Sequence, residues 1–148
     1  MELVYIGRVR SPVTEAVDMN WGHVVSEIVL EPEYAPGLQG LEEFSHVLVL
    51  THLHKAEWDP EKHLRRRPQE RSDMPLTGIF AQRARHRPNR IGVTAAEIVE
   101  VTGNTLKVRA LDVVDGTPII DIKPYVPYYD RRDAAIPEWM TRMMKDYF

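Results

Sequence analysis

The sequence predicts a mainly β domain, a sandwich or a barrel, with a short helix near its C-terminal end. Three observations lead there. Short β-branched and apolar runs recur between turn signals along most of the chain. The eight glycines never form G-x-G, and no G-x-x-x-x-G-K-[ST] occurs, which argues against a nucleotide-binding α/β fold. Helical periodicity is confined to residues 136–148.

The elements follow in order. "LVYIGRVR" (3–10) is β-rich and stops at Ser11-Pro12. "HVVSEIVLEP" (23–32) is a second strand, ended by Pro32, and a turn-rich stretch leads to "SHVLVLTHLHKA" (45–56), the most apolar segment. Residues 57–74 are polar and carry prolines, which suits a partly helical or mobile loop, and "PLTGIFAQR" (75–83) leads into a basic turn. "GVTAAEIVEV" (92–101) and "TLKVRALDVV" (105–114) flank Thr102-Gly103-Asn104, a hairpin connection. Asp115-Gly116-Thr117-Pro118 is a further turn, and "IIDI" opens a last strand. In "IPEWMTRMMKDYF" (136–148), Ile136, Trp139 or Met140, Met143 and Tyr147 share one helical face.

Composition bounds the function. At 148 residues, 43% apolar and 28% charged, the chain is expected to be one globular domain spanning 1–148. The absence of cysteine excludes disulfides, thiolate zinc sites and cysteine nucleophiles, and suits a reducing cytoplasm. No apolar run reaches the length of a membrane span, and the N-terminal residues lack a secretory apolar region, so a soluble cytoplasmic protein without membrane contact is expected. Charge is unevenly spread. Residues 62–90 hold nine Lys/Arg against Glu70 and Asp73, within a chain of net charge −3. A solvated charged loop is one reading of that segment; a site for phosphates or another anion is the other.

Two constellations bear on chemistry. His52 and His54 are spaced to share a strand face with His46, Leu48 and Leu50, and Asp59 or His63 are conceivable further metal ligands. No spacing fixes a third ligand, so ordinary strand histidines are the simpler reading and no metal is expected. Asp112 lies between Leu111 and Val113 in an expected strand, either facing solvent or accepting hydrogen bonds from a ligand's hydroxyls or amine.

"IGRVRSP", "GLQGLEEFSHVLVLTHLHKA", "GIFAQRARHRPNRIGVTAAEIVEV" and "LDVVDGTPIIDIKPYVPYYD" together resemble the TsaA-like family, also called TrmO, tRNA methyltransferase O. The resemblance runs from about residue 4 to about residue 130 and is most specific in F-A-x-R…R-P-N-x-I-G and L-D-x-x-D-G-T-P-x-x-D-I-K-P-Y. It implies a single small TsaA-like β-barrel that forms homodimers and uses S-adenosyl-L-methionine. The implied reaction methylates N6 of the threonylcarbamoyladenosine beside the anticodon of certain tRNAs. Cofactor contacts are implied at Asn20, Trp21 and Gly22, at His54 and Lys55, at Arg83, at Val93, and at Arg109, Ala110, Leu111 and Asp112. Arg83 suits the cofactor's carboxylate and Asp112 its ribose or amino group. Arg65, Arg66, Arg67, Arg71, Arg85, Arg87 and Arg90 then suit the tRNA backbone. Asp112, His54 and the cofactor's own carboxylate all stand as candidates to take the acceptor's proton. Two departures matter: Arg90 replaces a family proline, and the implied form is short, without the further C-terminal domain of bacterial members. The alternative is a cofactor- or metal-binding barrel module with a different methyl acceptor or a regulatory role.

Overall fold

The computed structural model describes residues 1–148. Six strands close a barrel: β1 (Gly7–Arg10), β2 (Val25–Leu30), β3 (His46–His52), β6 (Ile91–Thr102), β7 (Thr105–Arg109) and β8 (Pro118–Pro124). Their order around it is β1-β2-β7-β6-β3-β8, with every neighbouring pair antiparallel. Alternation in the sequence sets the faces: Val47, Val49 and Thr51 of β3 are buried inside, while Leu48, Leu50 and His52 lie outward and half-buried. Ile28, Val47, Val49, Leu106, Val108 and Ile119 are fully buried in the interior cluster. Burial of each such side chain contributes about 1.5–3 kcal/mol.

Closure falls on the shortest barrel strand. Gly7 is registered against Leu30 on one side and Ile119 on the other. A Cβ there would stand 2.4 Å from the Val29 carbonyl oxygen and 2.8 Å from Leu30 Cα, so the two backbones approach as only glycine permits.

Alternating strand direction sends three connections to one end of the barrel: 11–24, 53–90 and 110–117. The opposite end carries residues 31–45 and the tight β6–β7 hairpin through Gly103 (φ 60) and Asn104. The 53–90 excursion contains α1 (Pro60–His63), whose N-cap Asp59 accepts from the Glu61 amide, and the small β4 (Arg65–Arg66)–β5 (Thr77–Gly78) pair. It buries Ala56, Met74 and Ile79 apart from the barrel cluster. Gln82, also buried, donates through Nε2 to the Arg66 carbonyl at 2.8 Å and to Thr77.

Several expectations are corrected. β3 ends at His52, so His54 lies beyond the strand. β7 ends at Arg109 because Ala110 adopts φ 66, so Asp112 sits in a connection rather than a strand. Residues 75–83 contribute only the two strand residues Thr77–Gly78 and a 3₁₀ turn, whereas 57–74 is partly helical, one of its two expected forms, through α1 and a 3₁₀ turn at Pro68–Glu70. After β8, α2 (Pro127–Asp130) and then α3 (Glu138–Met144) follow; α3 is shorter than 136–148 and buries only Met143. No helix is long and apolar enough to cross a membrane.

Two substitutions test this frame. Gly7→Ala is expected to cost about 1–3 kcal/mol in urea unfolding, because the clashing atoms are backbone. Arg90 has φ 51 and its amide donates to the Arg87 carbonyl. Proline satisfies neither requirement, so Arg90→Pro is expected to cost at least about 2 kcal/mol in the same assay, and Arg90→Gly much less.

Candidate functional site

Asp112 is held by two side-chain hydrogen bonds at the end where three connections meet. The left-handed turn at Ala110, with its amide bonded to the Val24 carbonyl at 2.9 Å, sends Leu111 into the core. Leu111 and Val113 are both buried, which leaves Asp112 half-buried and aimed across the barrel mouth. Thr94, buried on β6, donates its hydroxyl to Oδ1, and Tyr147 donates its hydroxyl to Oδ2 at 2.5 Å. Burial first, and then the negative charge of Asp112, push the Tyr147 phenol far above its ordinary range, so it remains a proton donor.

The 11–24 connection presents main chain to the same place. Asn20 has φ 63, and its amide donates to the Asp146 carbonyl at 2.8 Å; the Trp21 amide donates to the Tyr147 carbonyl at 2.9 Å. The Trp21 ring is buried and its Nε1 bonds the Val17 carbonyl at 3.0 Å, so this side chain is a structural anchor. Gly22 runs against Phe148: an added Cβ would lie 2.6 Å from that residue's carbonyl carbon. Arg83 is exposed, hydrogen-bonds the Val93 carbonyl at 2.8 Å, and is close enough for its charge to act on Tyr147. Val93 itself points its side chain outward. Of the six non-glycine residues with positive φ, Asn20, Arg90, Ala110 and Asp146 lie in or beside these segments. Such backbone strain clusters at functional sites.

The remaining expected site residues divide. His54 has a buried Nδ1 with no partner, and burial, then Lys55, His52 and Arg8, hold its pKa below the ordinary value, so the ring is neutral at pH 7. Lys55 bonds the Thr14 carbonyl at 3.0 Å, joining two of the three connections. Arg109 is committed to an ion pair with Glu97 across β6–β7 at 2.8 Å. His52 receives the Tyr5 hydroxyl at 2.5 Å, and His63 accepts the Asp59 amide and stacks on His86. His52 and His63 therefore have other partners, and no group of three metal-ligating side chains forms.

Of the seven arginines assigned to RNA, most also hold their own loop together. Arg67 bonds the Met74 carbonyl, Arg87 those of Gln82 and Ala84, and Arg90 that of Ala56 at 3.1 Å. Arg71 pairs with Asp73 at 2.7 Å and Arg66 with Glu70 at 3.5 Å. Arg65 has no such partner, and Arg85 contacts only His86; both are exposed. Phe80, 78% exposed, lies beside the Arg87–Ile91 ridge.

Sequence reasoning missed Thr94 and Tyr147. Thr94 reads as an ordinary strand residue, and Tyr147 as one member of a helical apolar face. Only the return of the chain past Asn20 reveals the tyrosine's role.

The model of the tRNA-methyltransferase O N-terminal domain matches residues 14–131. A probable S-adenosyl-L-methionine-binding protein of Pyrococcus abyssi is 37% identical over 142 residues, covering 93% of this chain and 74% of that protein. An S-adenosyl-L-methionine-binding protein of Archaeoglobus fulgidus is 42% identical, covering 88% and 93%. The human tRNA (adenine(37)-N6)-methyltransferase is 40% identical over 102 residues, which are 67% of this chain and only 22% of that protein. Among solved structures, TrmO from Pseudomonas aeruginosa superposes with a TM-score of 0.76 at 31% identity, covering 94% of this chain and 61% of that one. With the family model spanning residues 14–131 and the barrel agreeing with the solved structures, the chain belongs to the tRNA-methyltransferase O family.

Proposed function

We propose that this chain transfers the methyl group of S-adenosyl-L-methionine to N6 of the threonylcarbamoyladenosine next to the anticodon of a tRNA. The observation that carries the reading is the convergence, at one barrel end, of Asp112, Arg83 and the Asn20–Trp21 main chain. This donor set fits the cofactor's polar groups. A carboxylate fixed by Thr94 suits ribose hydroxyls or an ammonium, and a guanidinium with free N–H groups suits a carboxylate. When bound, S-adenosyl-L-methionine supplies a methyl carbon on a positively charged sulfur. The protein's task is then placement of the acceptor nitrogen in line with that carbon. As the N–C bond forms and the C–S bond breaks, the acceptor nitrogen loses its proton. Asp112, His54 and the cofactor's own carboxylate are the candidates to receive it.

The arginine-rich 53–90 connection lies at the same end, so the RNA backbone reaches it while the target base enters the site. Exposed Phe80 suits stacking of an unpaired base. The outward faces of β3 and β6 carry Leu48, Leu50, Ile91, Val93 and Ala95, an apolar stripe that a second copy would cover in a homodimer.

The test is methyl transfer from labelled S-adenosyl-L-methionine to tRNA that bears the threonylcarbamoyl group and lacks the N6-methyl. Label is expected in that adenosine. Arg83→Ala and Asp112→Asn should weaken cofactor binding about tenfold or more. Cofactor binding with no label in tRNA would point to a different methyl acceptor. For the RNA face, Arg65→Ala and Arg85→Ala should each lower the slope of log affinity against log salt by about 1 and leave cofactor affinity unchanged.

A further inference from the structure

Residues 125–148 leave β8 at the barrel end opposite the site, where the Tyr125 amide bonds the His46 carbonyl, and return along the molecule to the site. On the way, Arg142 pairs with Asp73 at 3.1 Å. The returning segment Asp146–Phe148 then takes up the groups assigned above to the cofactor, an assignment on which this inference rests. Its Asp146 and Tyr147 carbonyls accept from the Asn20 and Trp21 amides, its Tyr147 hydroxyl donates to Asp112, and its Phe148 main chain fills the space beside Gly22. Two acceptors, one hydroxyl donor and an edge-to-face pair of aromatic rings (Tyr147 on Phe148, 4.8 Å) thus sit in one small region. That set parallels what a nucleoside bearing an amino acid offers: carboxylate or ring-nitrogen acceptors, ribose hydroxyl donors and a flat aromatic base.

From this overlap we infer that Asp146–Phe148 is a built-in competitor of the cofactor, seated in the site of the ligand-free chain and displaced when S-adenosyl-L-methionine binds. Asp112 has one oxygen bonded by Thr94 and the other by Tyr147, so a ribose hydroxyl taking the second oxygen replaces the phenol. The seat is made of three hydrogen bonds, two between main-chain groups and one from the Tyr147 hydroxyl, and Phe148 beside it is 60% exposed, so solvent reaches its edge. Displacement also frees the Asn20 and Trp21 amides for new acceptors. In the closed form only a fraction of molecules is competent to bind, and the apparent dissociation constant rises by the inverse of that fraction.

The experiment is calorimetric titration of the full chain with S-adenosyl-L-methionine, comparing wild type, Tyr147→Phe, Tyr147→Ala and Arg83→Ala, together with hydrogen exchange of residues 138–148 with and without the cofactor. Tyr147→Phe keeps the ring packing and removes only the hydroxyl, so a folding defect does not obscure the answer. Competition predicts that both Tyr147 variants bind more tightly, by about ten- to a hundredfold for Tyr147→Phe given the ordinary strength of a hydrogen bond to a charged group. It also predicts faster exchange of 146–148 when cofactor is added. Weaker or unchanged binding in the Tyr147 variants, or slower exchange with cofactor, would make the segment part of the bound site and overturn the inference. Arg83→Ala separates the two readings. If it binds as wild type, the cofactor assignment fails and the inference with it; if it binds weakly while the Tyr147 variants do not tighten, the inference fails alone.

Discussion

Barrel closure is the constraint on which the rest depends. Six antiparallel strands that meet without an edge leave no choice about where successive connections emerge: they alternate between the two ends. Residues 11–24, 53–90 and 110–117 therefore share one mouth, although they are far apart in sequence. The contact that permits closure is the approach of β1 to β2 at Gly7, where a side chain would meet backbone. A loose seam there would separate Asn20, Arg83 and Asp112 from one another, because each is carried by a different connection.

The mouth is held in conformations that local sequence alone would not choose. Ala110 and Arg90 occupy the left-handed region at about 1–2 kcal/mol each, and Asn20 does so at lower cost. The interior cluster of Ile28, Val47, Val49, Leu106, Val108, Leu111 and Ile119 offsets such costs by burial on the order of ten kcal/mol or more. At Ala110 the strained turn exchanges a strand residue for a connection. With Ala110 left-handed, Leu111 enters the core and Asp112 swings to the mouth, where Thr94 fixes its orientation. Arg90 shows the same coupling from another side. Its carbonyl accepts the Leu53 amide and its guanidinium bonds the Ala56 carbonyl, so this one residue fixes both edges of the segment carrying His54 and Lys55.

Much of this was legible in the sequence, and the failures have physical reasons. The alternation of Val47, Val49 and Thr51 against Leu48, Leu50 and His52 declares β3, and Gly103-Asn104 declares the β6–β7 hairpin. Residues 105–114 read as one strand because side-chain composition carries no sign of the positive φ at Ala110; alanine there costs energy that only tertiary context repays. The helix expected over 136–148 shrank to Glu138–Met144 because Tyr147 is drawn into the hydrogen bond with Asp112, a contact between residues 35 positions apart. The structure brings Arg83 and Asp112, both from the long motifs, to one mouth, and the Trp21 and Arg109 side chains bond the Val17 carbonyl and Glu97. Periodicity reports which face is buried; it is silent on which buried groups meet.

In the basic 53–90 excursion most arginines bond their own loop. The charge is not lost. Arg67, Arg87 and Arg90 bond neutral carbonyls, which leaves the full positive charge of each in place, and only Arg66 and Arg71 of the seven face acids. A guanidinium has five N–H donors, and a bond to a backbone carbonyl uses one. Those that remain are held in a fixed direction, so binding a phosphate immobilises less side-chain freedom than it would for a solvated arginine. The carbonyl struts thus do two things at once: they order a connection with little apolar content, and they present a preoriented cationic surface beside the mouth. Residues 62–90 carry nine cations against two acids in a chain that is negative as a whole. The resulting field draws a polyanion toward this end of the barrel and away from the rest of the molecule.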